Sequence, residues 1–323
     1  MKLVFIIDPL PHLDPTHDTS VALMEAAVGA GHTVFWTEMH RLRAVGGQVW
    51  AQLQPVTLHP VTLAGDRWQA ADPWYEVGPW QEVHLADMDV VWMRPDPPVT
   101  TEYLYATYLL DLLMATGCRV VNRPAGLRNA NEKLYALHFA EVMPPTLVTG
   151  DRRVIADFMA EHGQAVLKPL GGKGGEGILL LVPGDRNFNS LVELSTQRGR
   201  TPVMVQAYLP AAQQGDKRIV VLDGEPIGAV NRVPGSGEFR GNMAAGGAAE
   251  ATEITARERE ICQRLAPKLQ ADGLFFVGLD VIGGFLTEVN VTSPTGVREI
   301  DRLSGTRLGA VVMARLEAEC GSR

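Results

Sequence analysis

The stretch "GLDVIGGFLTEVNVTSPTG", residues 278–296, puts Asp280, Glu288 and Asn290 on two apolar runs that read as the strands of a hairpin. Charged and amide groups on such strands are costly to bury unless something compensates them. Glu288 and Asn290 are two residues apart, so they share one face of their strand. Whether Asp280 joins them depends on the turn. A two-residue turn at Gly283-Gly284 sets Asp280 opposite Thr287, whereas a three-residue loop, Gly283 to Phe285, sets it across from Glu288. Glycine suits the longer, bulged loop, and that register is the expected one. Two carboxylates and an amide oxygen then converge as a hard-oxygen site for Mg²⁺ or Mn²⁺, which would keep waters and take phosphate oxygens as further ligands. The alternative, a solvated outer sheet face, fits poorly with strands that are apolar on both sides.

A second candidate is "AVLKPLGGKGGEGILLLV", residues 165–182. Gly172 to Gly177 match G-x-G-x-x-G, but the dinucleotide fingerprint needs a helix directly afterwards, and "ILLLV" is strand-like. No Gly-Lys-Ser or Gly-Lys-Thr completes a Walker pattern. What remains is a strand–loop–strand unit whose glycine-dense tip can lay backbone N–H groups over phosphates. Glycines alone fit a plain surface hairpin equally well. Lys168 tips the balance, because a buried or half-buried lysine between Leu167 and Pro169 needs an anionic partner. The pair His12 and His17 in "HLDPTHD" has metal-ligand character, but nothing clusters with it in sequence, and it reads as a polar loop.

These groups need a scaffold of some size. At 323 residues the chain is longer than one core usually serves, and 46% hydrophobic with 20% charged residues is ordinary for a globular protein. A net charge of −8 and dispersed Lys and Arg exclude a nucleic-acid backbone as the main partner. No apolar run reaches membrane-spanning length, and "MKLVFIIDPLP" has too short an apolar core for a signal peptide. Cys118, Cys262 and Cys320 are far apart and read as idle thiols of a cytoplasmic protein.

"KLVFIID", a helix over "TSVALMEAAVGAGH" capped by Thr19 or Ser20, and "TVFWTEM" form a β-α-β opening, hence a parallel sheet. "DVVWMRPDPP", a helix over "TEYLYATYLLDLLMATG" and "RVVN" extend it, so residues 1–122 form one open α/β domain. Between them, Trp68, Trp74 and Trp80 read as a loop and edge hairpin pinned to the core rather than as an aromatic ligand platform. "NANEKLYALHFAEV" reads as helix. "TPVMVQAYLP" and "RIVVLDGEPIGAVNRV" read as strands, the latter folded at Asp223-Gly224. "TAREREICQRLAPKLQADG" is an amphipathic helix.

Taken together, "NEKL", "VLKPLGGKGG", "QAYLP", "GDKRIVVLDGEP", "RGNMAAGG" and "LTEVNVTSPTGVREI" resemble, in order, the motifs of bacterial-type glutathione synthetases, members of the ATP-grasp ligases. "LKP" alone indicates only the superfamily; "MRPDPP" with "RGNMAAGG" and "NVTSPTG" is more specific, and the likeness covers nearly the whole chain. The resemblance implies an α/β N-terminal domain (1–122), an ATP-grasp lid subdomain (123–206) and a C-terminal ATP-grasp subdomain of α+β character (207–323). It implies that Lys133 and Lys168 bind ATP phosphates, that Gly172, Gly174 and Gly175 cover the triphosphate, and that Gln206, Tyr208 and Leu209 line the adenine pocket. Asp216 joins this nucleotide-binding set. Asp280, Glu288 and Asn290 would hold two Mg²⁺ or Mn²⁺ ions, and Arg218, Arg232 and Arg240 would face the transferring phosphate and the substrate carboxylates. The Gly/Ala-rich run around Arg240 would form a lid that excludes water. Lys173, and Ala207 where relatives often carry a polar residue, depart from the family pattern without touching a proposed ligand.

The implied reaction joins γ-glutamylcysteine to glycine at the expense of ATP, through an acyl phosphate. A ligase for another acid and amine, and a nucleotide-binding regulator without turnover, are the rival readings. Family likeness also implies a homo-oligomer, a tetramer by analogy.

Overall fold

The computed structural model describes residues 1–172, 174–235 and 247–321. The N-terminal part opens with β1 (Lys2–Ile6), α1 (Thr19–Gly29) and β2 (Thr33–Thr37), followed by β3 (Leu42–Val45), β4 (Gln48–Leu58), β5 (Thr62–Ala64), β6 (Arg67–Gln69), β7 (Tyr75–Val77) and β8 (Gln81–His84). β9 (Val90–Met93), α2 (Thr101–Asp111) and β10 (Arg119–Val121) complete it. β10, β9, β1 and β2 are parallel neighbours, as the β-α-β pattern predicts. All four residues of β9 are buried, the signature of a parallel sheet covered on both faces. β4 then adds antiparallel to β2 and carries β3, β7 and β8.

The three tryptophans serve packing: Trp68 donates to Arg298 O at 2.8 Å, Trp74 packs edge-on against Tyr75, and the Arg41 guanidinium covers Trp80 at 3.8 Å. The cap of α1 differs from expectation. Asp18 accepts from Val21 N at 2.8 Å, while Thr19 and Ser20 turn their hydroxyls to distant partners, accepting from Val297 N and Arg94 Nε.

After α3 (Pro124–Asn129), the helix expected across "NANEKLYALHFAEV" is broken. Asn131 Oδ1 accepts from Lys133 N and Leu134 N, an Asx turn, and 3-10 geometry covers Tyr135–Val142. The backbone of Glu132 is committed elsewhere, as described below.

β11 (Thr146–Thr149), α4 (Arg152–His162), β12 (Ala165–Pro169), β13 (Leu179–Leu181), α5 (Phe188–Ser195) and β14 (Val203–Ala207) build a four-stranded antiparallel sheet in the order β11-β14-β12-β13. β15 (Asp216–Leu222), β16 (Glu225–Val233), β17 (Ala248–Ala251), α6 (Ala256–Asp272), β18 (Phe276–Ile282) and β19 (Phe285–Asn290) build a five-stranded sheet in the order β17-β16-β15-β18-β19. Asp223 and Gly224 both adopt positive φ, 49° and 86°, the geometry of a two-residue hairpin turn. Thr255 and Glu258 form a reciprocal capping box that starts α6, and Gly273 at φ 69° ends it. Its buried residues Ile261, Cys262, Leu265 and Leu269 follow helical spacing toward the core. Last come α7 (Val297–Ser304) and α8 (Leu308–Gly321); α8 crosses α1 so closely that a Cβ on Gly309 would lie 2.8 Å from Ala26 Cβ.

Candidate active site

The β18–β19 hairpin settles the register question by a route the sequence does not announce. Gly283 and Gly284, at φ 57° and 81°, form a two-residue turn in which Ile282 faces Phe285. A bulge between Asp280 and Val281 on one side, and Leu286 and Glu288 on the other, leaves Thr287 as the extra residue and restores Asp280 opposite Glu288. Thr287 Oγ1 donates to Asp280 O at 3.1 Å, tying the bulge down. Asn290 pairs with Gly278, so Asp280, Glu288 and Asn290 share a face as expected.

On the neighbouring strand β15, Arg218 sits beside Asp280, and Asp216 of β15 pairs with Arg232 of β16. The same face therefore carries an array of five charged residues and an amide. Arg218 grips Asp280 with two nitrogens, Nε to Oδ1 at 2.5 Å and Nη2 to Oδ2 at 3.1 Å. Arg232 Nη2 reaches Asp280 Oδ1 at 3.0 Å and Asp216 Oδ2 at 2.6 Å. Asn290 Nδ2 adds a donor to Asp280 Oδ2 at 3.2 Å. Burial opposes the Asp280 charge, but Arg218 and Arg232 outweigh it and hold the carboxyl below the usual carboxylate range. Asp216 moves the other way: burial raises it, and the neighbouring Asp280 charge adds to the shift. Arg232, buried between two carboxylates, is held protonated.

Glu288 faces a different cation. Lys133 Nζ donates to Glu288 Oε1 at 2.9 Å and to Gly172 O at 3.3 Å, joining the glycine loop to the hairpin. Lys168 stands on β12 with Nζ 2.6 Å from Gln206 Oε1 on β14, and burial pulls its pKa down. Gly174, Gly175 and Gly177 all adopt positive φ, so the loop needs glycine at these positions. A cavity of about 840 Å³ connects these groups. It is lined by Lys133, Lys168, Gly172, Gly174 and Gly175, by Gln206, Tyr208, Leu209 and Asp216, and by Arg218, Arg232, Asp280, Glu288 and Asn290. Of the residues singled out from sequence, Arg240 lies outside the described residues, as do Lys173 and most of the lid segment.

Asp216 Oδ1 is buried without a hydrogen-bond partner among the described residues, an orphan acceptor on the cavity wall. Asp280, Glu288 and Asn290 line the same cavity wall and have the oxygen chemistry a hard divalent cation takes, but among the described residues no three acidic, histidine or cysteine side chains are gathered as a preformed metal cluster.

Some of the site went unread in the sequence. Glu132, inside "NEKL", clamps β19 twice: its carbonyl accepts from Val289 N at 3.0 Å, and its Oε1 accepts from Val291 N, Thr292 N and Thr292 Oγ1 at 3.0, 3.2 and 2.8 Å. Burial and the Glu288 charge raise its pKa. Asn122 bridges Phe276 N, Phe276 O and Val291 O, each at 2.9 Å, between β18 and the end of β19. His12 and His17, read as part of a plain polar loop, line the cavity, and His17 Nδ1 lies 2.9 Å from Glu299 Oε1. The titratable residues of "HLDPTHD" were the available signal; their distance in sequence from the other groups hid it.

Comparison with known proteins adds to this geometry. Residues 1–128 match the family model "Prokaryotic glutathione synthetase, N-terminal domain", and residues 132–305 match "Prokaryotic glutathione synthetase, ATP-grasp domain". A glutathione synthetase of Synechocystis sp. is 62% identical over 319 residues, covering 99% of this chain and 100% of the relative. One of Thermosynechococcus vestitus is 63% identical over 316 residues, covering 98% and 99%. Among solved structures, the D-cycloserine synthetase DcsG matches with a TM-score of 0.64 at 17% identity, over 99% of both chains. The ATP-grasp ligase PsnB in complex with a precursor peptide and AMPPNP matches with a TM-score of 0.62 at 17% identity, over 98% of this chain and 97% of that one. These two likenesses speak to the fold.

Proposed function

The chain belongs to the prokaryotic glutathione synthetase family, and we propose that the charged face of β15, β16, β18 and β19 carries the chemistry of that activity. The enzyme is an ATP-grasp carboxylate–amine ligase that joins γ-glutamylcysteine to glycine, using ATP and a divalent cation. The observation that carries the residue assignment is the convergence of Arg218, Arg232, Asp280, Glu288 and Asn290 with Lys133 and Lys168 on one cavity.

A carboxylate is a poor acyl donor, because its leaving group would be oxide. Transfer of the γ-phosphoryl group to the cysteinyl carboxylate removes that obstacle; the glycine amine then attacks the acyl carbon and phosphate departs. In this reading Lys133 and Lys168 neutralise ATP phosphates, while the backbone of Gly172, Gly174 and Gly175 lies along the triphosphate. Gln206, Tyr208 and Leu209 border the adenine. Because Tyr208 N already donates to Gln164 O at 2.9 Å, the base edge is left to the other backbone groups of that segment. Arg218, Arg232 and Arg240 offset charge on the equatorial oxygens of the transferring group.

Asp280, Glu288 and Asn290 would hold two Mg²⁺ or Mn²⁺ ions, with Asp216 beside them. When bound, such ions would act as Lewis acids that offset the phosphate charge. Asp280 already accepts three hydrogen bonds, from Arg218 Nε, Arg218 Nη2 and Asn290 Nδ2, and forms an ion pair with Arg232 Nη2 at 3.0 Å. A carboxylate has about four acceptor positions, so a cation at Asp280 would compete with these donors for its oxygens.

Three finer assignments belong to the same proposal. Domain limits fall at residues 122/123 and 206/207. The enzyme is cytoplasmic, and it assembles as a homo-oligomer, a tetramer by analogy; sedimentation velocity of the purified chain tests the last point. No helix of the described residues is long and apolar enough to cross a membrane. The function is tested by phosphate release from Mg-ATP with γ-glutamylcysteine or glycine omitted in turn. Release that needs both substrates supports it; nucleotide binding without release under any combination contradicts it.

A further inference from the structure

Arg94 follows β9 and is 2% exposed. Its guanidinium lies 5.9 Å from the Trp92 ring centroid and 5.3 Å from that of Phe276. Nε donates to Ser20 Oγ at 2.9 Å, and Nη2 donates to Ser293 Oγ at 3.3 Å and Pro294 O at 2.9 Å. Burial draws its pKa down to about 10, even though Asp18 and Asp96 favour its charge. A methionine or leucine would fill such a place at lower cost in desolvation. The guanidinium is kept where apolar packing would serve stability better, so what it holds in place matters.

It holds the connection between β19 and α7. Thr292, Ser293, Pro294, Thr295 and Gly296 all line the cavity. The two ends of this segment are fastened by other groups: Glu132 takes the amides of Val291 and Thr292, Arg218 Nη1 takes Thr295 O at 3.2 Å, and Thr19 Oγ1 takes Val297 N at 3.4 Å. At Ser293 and Pro294 the side chain that reaches in is Arg94. Pro294 in turn packs over Gly278, where an added Cβ would lie 2.9 Å from Pro294 Cβ and 3.1 Å from Arg218 Cδ. The height of Pro294 above the sheet therefore bears on Arg218 as well. The residues assigned to adenine stand on the other sheet, on and just after β14, whereas this segment lies against α1 and β9.

We propose that Arg94 is a positioning residue for the acid substrate: it fixes the Ser293–Thr295 backbone as the wall along which the dipeptide is aligned for phosphoryl transfer. This rests on the ligase reading above. The reach from the N-terminal sheet explains why a cation is buried there, since a fork with several donors can bind a hydroxyl of α1 and two oxygens of the segment at once.

The test uses the full chain with Arg94→Met and Arg94→Lys, read by steady-state phosphate release, Mg-nucleotide affinity by calorimetry and hydrogen exchange of residues 290–297. For Arg94→Met, kcat/KM for the dipeptide is expected to fall about 10- to 100-fold, the scale of lost charge-assisted hydrogen bonds, with nucleotide affinity within about twofold of wild type. Exchange at Ser293 and Thr295 should accelerate. Arg94→Lys, which keeps the charge but not the fork, should lose about 3- to 10-fold. Dipeptide kinetics within about threefold of wild type in Arg94→Met, or equal losses for dipeptide and nucleotide, would overturn the proposal. Should Arg94→Met fail to fold, Arg94→Lys decides alone, and wild-type kinetics in it overturn the proposal. If the wild-type chain itself shows no dipeptide-dependent turnover, the ligase reading fails, and exchange at Ser293 and Thr295 still decides whether Arg94 holds the segment.

Discussion

The two large sheets handle polar groups in opposite ways. In the parallel sheet the strands β1 and β9 are buried nearly throughout, and polar residues wait until the strand ends, at Asp8, Arg94 and Asp96. In the antiparallel sheet of β15 to β19, Arg218, Arg232 and Asp280 stand within the strands. Helices cover a parallel sheet on both faces and leave chemistry only its ends, whereas an antiparallel sheet can open one face to a cleft. An open face lets charges be spaced by strand register, and here Arg218 and Arg232 find carboxylates one or two strands away. The price is that every member depends on its partners.

That dependence can be broken directly. Asp280→Asn leaves Arg218 and Arg232 short of their shared partner and should cost about 3–5 kcal/mol, the usual penalty for stranding buried charge. Urea unfolding measures it, and a loss below about 1 kcal/mol would mean that the array is not mutually dependent. Glu288→Gln keeps shape and one acceptor for Lys133, so it should fold yet lose at least about 100-fold in turnover, as expected when a cation loses a charged ligand. Near-normal turnover in this variant counts against the metal assignment.

The parallel sheet sharpens the contrast from the other side. Val91→Thr adds one hydroxyl mid-strand, where nothing in the covered sheet receives it, and should cost about 1–3 kcal/mol with kinetics unchanged. Equal tolerance of hydroxyls in both sheets would weaken the contrast. The smallest effect lies at the edge of the core, at Asp272. It accepts from Tyr135 Oη at 2.6 Å and pairs with Lys268 at 3.0 Å; burial opposes its charge, but these two partners prevail and hold its pKa below the ordinary carboxylate range. A depressed carboxyl pKa contributes stability that is present above the unfolded value and lost as pH falls through the folded one. Asp272→Asn should therefore cost about 0.5–1.5 kcal/mol at neutral pH. The gap to wild type should close as pH drops below the ordinary aspartate range and through the depressed folded value. A gap that is constant with pH would assign the effect to packing instead.

Legibility in the sequence followed the same division. The parallel strands were readable because uninterrupted apolar runs between turn signals have few other uses. The charged face was readable because Asp280, Glu288 and Asn290 are polar residues on strands that are otherwise apolar. The pairing of Asp280 with Glu288 arises from a two-residue glycine turn plus a bulge at Thr287, which gives the same partner as the longer loop that the sequence suggests. Local propensity does not register a bulge, since Thr287 is an ordinary strand residue. Glu132, Asn122 and Arg94 are illegible in the sequence because each acts on a segment more than a hundred residues away, and no local pattern marks such a contact. The broken helix at residues 129–142 has the same origin, since β19 recruits the carbonyl of Glu132.

The central claim is that this face of the antiparallel sheet passes the γ-phosphoryl group to a substrate carboxylate before the amine attacks. Supplying γ-glutamylcysteine with both cysteinyl carboxylate oxygens labelled with ¹⁸O, and analysing the released phosphate by mass spectrometry, tests it most directly. One ¹⁸O per phosphate is the predicted result, because the bridging oxygen of the acyl phosphate leaves with phosphorus. Unlabelled phosphate released alongside the tripeptide product would contradict it.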